Sequence, residues 1–236
     1  MAKKKIPKGT FTEMMKELKK SPITKAKPVA VAEERKYFLI VCEGAKTEPA
    51  YFEYIQNMLP RNLLTTIDIR GEGDNTVNVV RKAIALKKER EKAGGPRYDE
   101  VWAVYDKDDF PASRYNQAVT LAARNDVKSG HSNQSFELWY VLHFRNLQAS
   151  LHRTEYIKIL SAETEKILHV PYKKNDPTIA AFIFKHGKIK RAIKWAKALE
   201  KNCTDAGLTP ANSHPHTRVY ALVDELLKYC SPELMK

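Results

Sequence analysis

Residues 37–44 read YFLIVCEG, and residues 100–109 read EVWAVYDKDD. Each stretch begins with a run of apolar, β-branched and aromatic residues, which is typical of a strand buried on both faces of a parallel sheet. Each run is followed at once by carboxylates, Glu43 in the first stretch and Asp106, Asp108 and Asp109 in the second. The two stretches therefore predict two inner strands whose ends carry acidic side chains.

Strand and helix patterns alternate on either side of these runs. Such alternation favours an α/β fold with a mostly parallel sheet flanked by helices. We expect the α/β core to span residues 36–145 and a mainly helical extension to span 146–236. The predicted weaker strands lie at 64–70 and near 127–133, and the predicted helices lie at 48–59, 75–92, 112–125, 135–144, 178–201 and 214–229.

The basic charge of the chain is uneven. Of the net charge of +13, residues 1–27 supply a surplus of seven, because they hold nine lysines and only two glutamates. We expect residues 1–35 to form a solvated, partly disordered tail, or alternatively a basic arm that touches nucleic acid or a partner. The remaining surplus of six is compatible with a polyanionic partner but does not require one.

The cysteines and the hydropathy favour an intracellular protein. Cys42, Cys203 and Cys230 are too far apart in sequence to predict a disulfide framework or a zinc site. The lysine-rich start of the chain is not followed by the apolar segment of a signal peptide. No apolar run approaches the length of a membrane span. We therefore expect a cytoplasmic protein.

The two acidic strand ends predict a metal site. If the two strands are neighbours, their carboxyl ends meet at one edge of the sheet, where functional groups gather in open parallel folds. Crowded carboxylates repel one another, and a hard cation such as Mg²⁺ or Mn²⁺ relieves that repulsion. We expect Glu43, Asp106 and Asp108 to bind the ion, with Asp109 either a further ligand or a cap of the next helix. Taken singly, each acid is equally typical of a solvated turn.

The ordered motifs of the chain resemble a known family. A strand ending in Glu-Gly and a later strand ending in Asp-x-Asp resemble the Toprim signature. More specifically, the chain resembles the RloB-like family, a Toprim-related group of bacterial defence loci. The motifs that carry this resemblance are LIVCEGAKTEPAYF at 39–52, VWAVYDKDDF at 101–110, SNQSFELWYVLHF at 132–144 and SHPHTRVYALVDEL at 213–226.

The resemblance implies a metal-dependent nuclease with a Toprim-like fold. It implies that Glu43 acts as general acid or base and that Asp106 and Asp108 bind Mg²⁺, so these three are the expected catalytic residues. Because related proteins act beside SMC-like or AAA-type ATPases, it also implies a toxic effector of antiphage abortive infection that attacks RNA, with tRNA a candidate, rather than DNA. The oligomeric state stays open, and a homodimer is compatible with the sequence.

Three alternatives remain open at this point. One is a non-catalytic nucleic-acid-binding or sensor subunit regulated by a partner ATPase, which would bind polyanions without the three acids. Another is an interaction module whose main role is to hold such an ATPase. The third is another Toprim chemistry, such as nucleotidyl transfer, although the sequence shows no tyrosine nucleophile domain and no primase zinc element.

A second set of residues is expected to bind phosphate or substrate. Lys46 precedes a predicted helix start, where backbone N–H groups favour anions. Glu137 lies within an apolar run, so we expect it to join the site or to pair with a buried basic group. Lys173 and Lys174 are basic candidates, although a solvated surface explains them equally well.

The remaining acid and histidine candidates receive structural interpretations. Glu48 is interpreted as a favourable charge in the first turn of its helix. His143 is expected to be a core histidine. No metal is assigned to His214 and His216, because no nearby acid or cysteine completes a zinc set.

Overall fold

A computed structural model describes residues 36–59, 67–71 and 76–230. The elements alternate between strand and helix up to residue 132 and are helical afterwards. The strands are β1 (Phe38–Cys42), β2 (Ile67–Gly71), β3 (Glu100–Asp106) and β4 (Lys128–Ser132). The helices are α1 (Thr47–Met58), α2 (Thr76–Lys92), α3 (Ala112–Arg124), α4 (Glu137–Leu142), α5 (Arg153–Leu168), α6 (Ile179–His186), α7 (Ile189–Asp205) and α8 (Val219–Leu227).

The four described strands form one parallel sheet in the order β2-β1-β3-β4. Strand β1 pairs with β3 so that Cys42 lies opposite Val104. Strand β3 pairs with β4 so that Asp106 lies opposite Ser132. The α/β class is therefore confirmed, and the structure shows that the two acidic strands, whose adjacency the sequence left open, are neighbours.

Each face of the sheet carries its own apolar core. Side chains alternate between the two faces of a strand, so Ile40 and Cys42 join one core while Leu39 and Val41 join the other. The smaller core lies under α2 and α3, and the larger one takes in α1 and α4 to α8. The helical C-terminal half, which the sequence predicts, thus shares a core with β1.

The predicted helix over 178–201 is two helices. The chain leaves the helical conformation at Gly187, where Lys188 N–H donates to the His143 carbonyl at 2.8 Å. A Cβ at position 187 would lie 2.6 Å from Cβ of His143. The break therefore comes from close tertiary packing against the end of α4, which the apolar pattern of the sequence does not report.

The predicted helix over 214–229 begins later, at Val219. The preceding residues extend the edge of the sheet, with Thr217 in an antiparallel bridge to Ser132. Arg218 N–H donates to the His131 carbonyl at 2.7 Å, and Asn133 N–H donates to the His216 carbonyl at 2.8 Å. The segment before α8 is therefore bound to the last residues of β4 and the turn after it.

The core interpretation of His143 is confirmed. Its side chain is buried, and Nδ1 lies 2.9 Å from the Trp139 carbonyl oxygen. Burial lowers the pKa of His143 to about 4, so this ring is neutral at physiological pH.

None of the helices in the described ranges combines the length and apolar character that crossing a bilayer requires, and the expected tail over 1–35 lies outside those ranges.

Candidate metal centre

Glu43 and Asp106 meet at the carboxyl edge of the sheet. Glu43 N–H donates to the Val104 carbonyl at 2.8 Å, which continues the pairing of β1 with β3 by one residue. The Glu43 side chain then accepts a 2.8 Å hydrogen bond from the main-chain N–H of Asp106 to its Oε2. The first residue after β1 is thereby held against the last residue of β3, where the sequence predicts the site.

Asp106 is held from the other side by the turn into α4. Its Oδ2 accepts a 2.9 Å hydrogen bond from the main-chain N–H of Phe136, and the residue is 8% exposed. Burial, followed by the charges of Glu48, Glu137, Asp108 and Glu43, raises the pKa of Asp106 well above its usual value. The sheet edge therefore gathers four acidic side chains around the buried carboxyl group of Asp106.

Glu48 is a member of this acidic group that the sequence analysis did not assign to the site. It lies in the first turn of α1, as predicted, but its side chain turns back and is buried. Its Oε2 lies 2.1 Å from the position that a Cβ on Gly44 would occupy. Burial, outweighing the hydrogen bond from its own main chain, raises the pKa of Glu48, and Glu137 and Asp108 raise it further.

The Gly44–Glu48 contact gives a physical reason for the Glu-Gly pair. Glycine is needed here because the carboxylate of Glu48 fills the space of a side chain. The left-handed backbone that often demands glycine does not apply at this position. In the sequence, the signal of this contact was the spacing of Gly44 and Glu48. That spacing does not predict which way the Glu48 side chain points, because the residues between them form a loop.

Glu137 is buried at the start of α4 and has two polar partners. Tyr172 donates its hydroxyl to Oε1 of Glu137 at 3.3 Å, and Lys174 Nζ lies 3.6 Å from the same oxygen. Burial alone would lower the pKa of Lys174, but the carboxylates of Glu137, Asp106, Glu48 and Asp108 raise it overall. Lys174 therefore places a positive charge over the acidic group.

Lys173 and Lys46 lie beside this group and face solvent. The Thr47 hydroxyl donates to Oδ1 of Asn175 at 3.0 Å, which ties the lysine-bearing loop to the start of α1. Lys46 precedes that same start, and its side chain makes no capping hydrogen bond. The predicted substrate-binding lysines are therefore brought to the acidic edge by one loop and one helix start.

Asp108 and Asp109 are joined to a residue that the sequence analysis missed. Arg153, the first residue of α5, donates through Nη1 to Oδ1 of Asp108 at 2.9 Å and through Nη2 to Oδ2 of Asp109. The alternative role of Asp109 as a helix cap is wrong, because Pro111 takes the capping position of α3 without a side-chain bond. No sequence signal links Arg153 to residues more than 40 positions earlier.

The backbone around Asp108 is strained. Asp108 has φ of 44° and Gln134 has φ of 78°, both in the left-handed region that side chains other than those of asparagine and aspartate seldom adopt. Asp108 N–H donates to the Gln134 carbonyl at 3.1 Å, so the two strained positions support each other. Strain of this kind concentrates at functional sites.

The oxygen donors fit a hard divalent cation in chemistry. Five carboxylates lie at this edge of the sheet and repel one another. Mg²⁺ binds oxygen ligands, and its positive charge offsets such repulsion. Within the described residues, however, no three acidic, histidine or cysteine side chains are already arranged to hold an ion. One reason is local, since Glu43 accepts from the main chain and Asp108 faces Arg153.

Fold and site together define a class: parallel α/β proteins that gather carboxylates at the carboxyl edge of adjacent inner strands. The profile of the RloB-like protein family matches residues 38–226. The chain belongs to this family, which is Toprim-related. No curated protein matches the chain, and no solved structure matches it.

Proposed function

We propose that the protein is a metal-dependent nuclease that hydrolyses phosphodiester bonds of nucleic acid. The observation that carries this proposal is the hydrogen-bonded pairing of Glu43 with Asp106 at the edge of the sheet. Buried carboxylates with raised pKa values, grouped in this way, are characteristic of functional sites. Membership of a Toprim-related family supports the same reading.

Glu43, Asp106 and Asp108 would hold the cation. When bound, a divalent cation orients the phosphate, stabilises charge on the leaving oxygen and activates water. The chain itself supplies the fixed geometry, because main-chain N–H groups of Asp106 and Phe136 hold the carboxylates of Glu43 and Asp106. Glu43 is the proposed general acid or base, and Asp109 stays a proposed outer ligand.

The proposed substrate-binding residues surround the acidic edge. Lys174 lies over Glu137, and Lys46 and Lys173 are exposed on the helix start and the loop that the Thr47–Asn175 hydrogen bond joins. Their positive charges suit the phosphates that flank a scissile bond, and such contacts predict a steep salt dependence of binding. Glu137 is proposed to position Lys174 through their ion pair.

The proposed substrate is RNA rather than DNA, with tRNA a candidate, and the proposed role is that of a toxic effector in abortive infection against phage. A partner ATPase of the AAA or SMC-like type would release the activity. This part of the proposal rests on family kinship and on the basic charge of the chain. Function is carried by sites rather than by folds, so substrate identity needs its own test.

A second function is a non-catalytic nucleic-acid-binding or sensor subunit. Two observations favour it: Arg153 forms ion pairs with Asp108 and Asp109, and Lys174 forms an ion pair with Glu137. In a sensor these ion pairs would be permanent, and the acids would serve to hold loops in place. In a nuclease the cation competes with Arg153 for Asp108.

Cleavage assays separate the two functions. Wild type, Asp106→Asn and Asp126→Asn would be incubated with mixed tRNA, single-stranded RNA and plasmid DNA, in Mg²⁺, Mn²⁺ or EDTA. Asp126 is the matched control because its side chain is 96% exposed and pairs with Lys87, and because it precedes β4, at the end of the parallel sheet opposite to the acidic edge. Each reaction would be repeated with any ATPase encoded beside the protein.

We expect wild type and Asp126→Asn to cut tRNA only with metal. We expect cleavage by Asp106→Asn to be slower by more than about 100-fold. A carboxylate that binds the metal contributes at least as much to the cleavage rate as the residues that only orient such ligands. Cutting of plasmid DNA alone would move the substrate to DNA. Equal cutting by all three proteins, or silence with the ATPase present, would contradict the nuclease proposal.

A further inference from the structure

Strand β4 also borders a cavity, which His131 lines. This cavity of about 150 Å³ opens between α3, α7 and the segment before α8. Its walls combine apolar side chains with several polar groups. The lining includes Val119, His131, Glu200, Thr204, Leu208, His216 and Arg218.

Two buried imidazoles in the cavity wall each have one ring nitrogen without a hydrogen-bond partner among the described residues. His131 is 2% exposed and His216 is 4% exposed. Nδ1 of each ring is buried without a hydrogen-bond partner among the described residues. Buried polar atoms in native proteins are almost always satisfied by protein, water or ligand. The pair therefore points to an occupant that supplies hydrogen-bonding groups.

The cavity suits a neutral, flat, polar occupant. Burial lowers the pKa values of His131 and His216, so both rings are neutral. The charged side chains of the lining, Glu200 and Arg218, pair with each other at 3.0 Å, which leaves no net charge to attract an anion. Pockets for drug-sized ligands measure about 300–1,000 Å³, so this smaller cavity suits a single ring system.

The two imidazoles of the cavity wall pack against each other, and His131 also packs against a buried tyrosine behind it. The His131 ring stacks on Tyr105 with centroids 5.9 Å apart and planes 20° apart, and it meets the His216 ring at 5.3 Å. Nucleobases extruded from their stack are held in this manner, by aromatic or apolar walls and hydrogen bonds to the base edge. The apolar Val119 and Leu208 provide the remaining wall.

The cavity is connected to the acidic edge through β4. His131 directly precedes Ser132, and Ser132 lies opposite Asp106 in the sheet. The Ser132 carbonyl accepts a 2.9 Å hydrogen bond from Lys107 N–H. Neighbouring strands lie about 4.8 Å apart, so the backbone of His131 and Ser132 lies close to that of Asp106.

We propose that this cavity binds one unpaired nucleobase of the nucleic-acid strand that the protein cuts. The proposal rests on the proposed nuclease function for the identity of the strand. The unpartnered ring nitrogens then read the hydrogen-bonding edge of the base. Binding a base beside the acidic group would fix which phosphodiester bond reaches Glu43 and Asp106.

The test measures base binding without cleavage. Full-length protein in EDTA, with ¹⁵N-labelled histidines, would be titrated with adenosine, guanosine, cytidine and uridine while the His131 and His216 signals are followed by NMR. In parallel, fluorescence anisotropy would measure binding of a short single-stranded RNA and of a series carrying one abasic position each. Thr204→Trp would block the exposed mouth, and Asn202→Trp, an exposed neighbour on α7 outside the lining, is the matched control.

We expect at least one nucleoside to shift both histidine signals and one abasic position to weaken RNA binding about tenfold, as loss of a stacked base does. Thr204→Trp should lose both effects and Asn202→Trp should keep them. Unshifted signals, as for a cavity that holds only water, would overturn the proposal, and so would effects that survive Thr204→Trp. Shifts by nucleosides without any abasic effect would assign the cavity to a free nucleotide and overturn strand binding.

The two proposals fail separately. Loss of base binding in EDTA says nothing about cleavage, which is measured with metal. A protein that binds a base but cuts no nucleic acid would contradict the nuclease and leave the cavity assignment standing.

Discussion

The main-chain N–H of Asp106 donates a hydrogen bond of 2.8 Å to Oε2 of Glu43. This bond joins the ends of β1 and β3, and it fixes the direction of the Glu43 side chain before any ligand arrives. Asp106 is in turn held by Phe136 N–H at 2.9 Å. The acidic edge is therefore organised by backbone groups, which substitution of neighbouring side chains leaves in place.

Gly44→Ala is expected to destabilise the protein by about 1–3 kcal/mol, because an added methyl group would meet the buried Glu48 carboxylate. In a Glu48→Ala background the same change should be nearly neutral or slightly stabilising, since the backbone at Gly44 is not left-handed. Urea unfolding of the four proteins of this double-mutant cycle measures the coupling. Additive effects would mean that Gly44 is needed for another reason.

Asp106→Asn is expected to raise the melting temperature in EDTA by about 2–4 °C near neutral pH. The pKa of Asp106 is raised by burial and by neighbouring carboxylates, while an unfolded aspartate titrates near about 3.9. Folded Asp106 thus retains its proton where the unfolded chain has lost it. Stability is then lost as pH rises from the unfolded pKa through the folded pKa, and asparagine removes that loss while still accepting from Phe136.

The gain from Asp106→Asn should therefore vanish below pH 4 and grow as pH rises. Added Mg²⁺ should reverse the order of the two proteins, because cation binding stabilises the folded wild type by mass action. Thermal unfolding across pH, with and without Mg²⁺, checks both points. If wild type were more stable than Asp106→Asn at every pH in EDTA, the prediction that crowded negative charges destabilise the folded protein would be wrong.

Lys174→Met is expected to lower stability in EDTA by about 1 kcal/mol, a modest value because the ammonium group is half exposed and screened by solvent. The cause is the buried Glu137, which would retain only Tyr172 as a partner. Mg²⁺ should restore the loss by replacing the missing positive charge. Lys173→Met, the exposed neighbour, is the control and should change stability little, so equal losses in both variants would refute the role of Lys174.

Arg153→Gln is expected to increase Mn²⁺ affinity about three- to fivefold, since the guanidinium competes with the ion for Asp108. Isothermal titration calorimetry measures the change. Arg145→Gln is the control, because Arg145 pairs with Glu163 on α5 instead. Weaker Mn²⁺ binding in Arg153→Gln than in Arg145→Gln would show that Arg153 supports the site, which is the opposite of our expectation.

The inner strands and their acids could be predicted from sequence because their signals are local. Apolar runs report burial on both faces of a parallel sheet, and the chain places Glu43 and Asp106 directly after such runs. The helix starts near 47 and 112 were predicted within one residue. Chain order alone left the adjacency of β1 and β3 open, and the structure supplies it.

The remaining features depend on contacts between distant residues. Glu48 faces the site because Gly44 leaves room for it, and Arg153 reaches Asp108 across 45 positions of sequence. Gly187 ends α6 because it packs on His143. None of these contacts alters the local hydropathy pattern. The periodicity of apolar residues therefore predicts helices but does not predict which of their side chains contact the site.

We propose that the carboxylates following β1 and β3 hold a divalent cation. Anomalous X-ray diffraction from crystals soaked in Mn²⁺ tests this claim most directly, because manganese scatters anomalously and the protein oxygens do not. We predict a peak within coordination distance of Glu43 and Asp106 that disappears in Asp106→Asn. Ordered carboxylates with no peak between them, or a peak elsewhere that survives the substitution, would contradict the account.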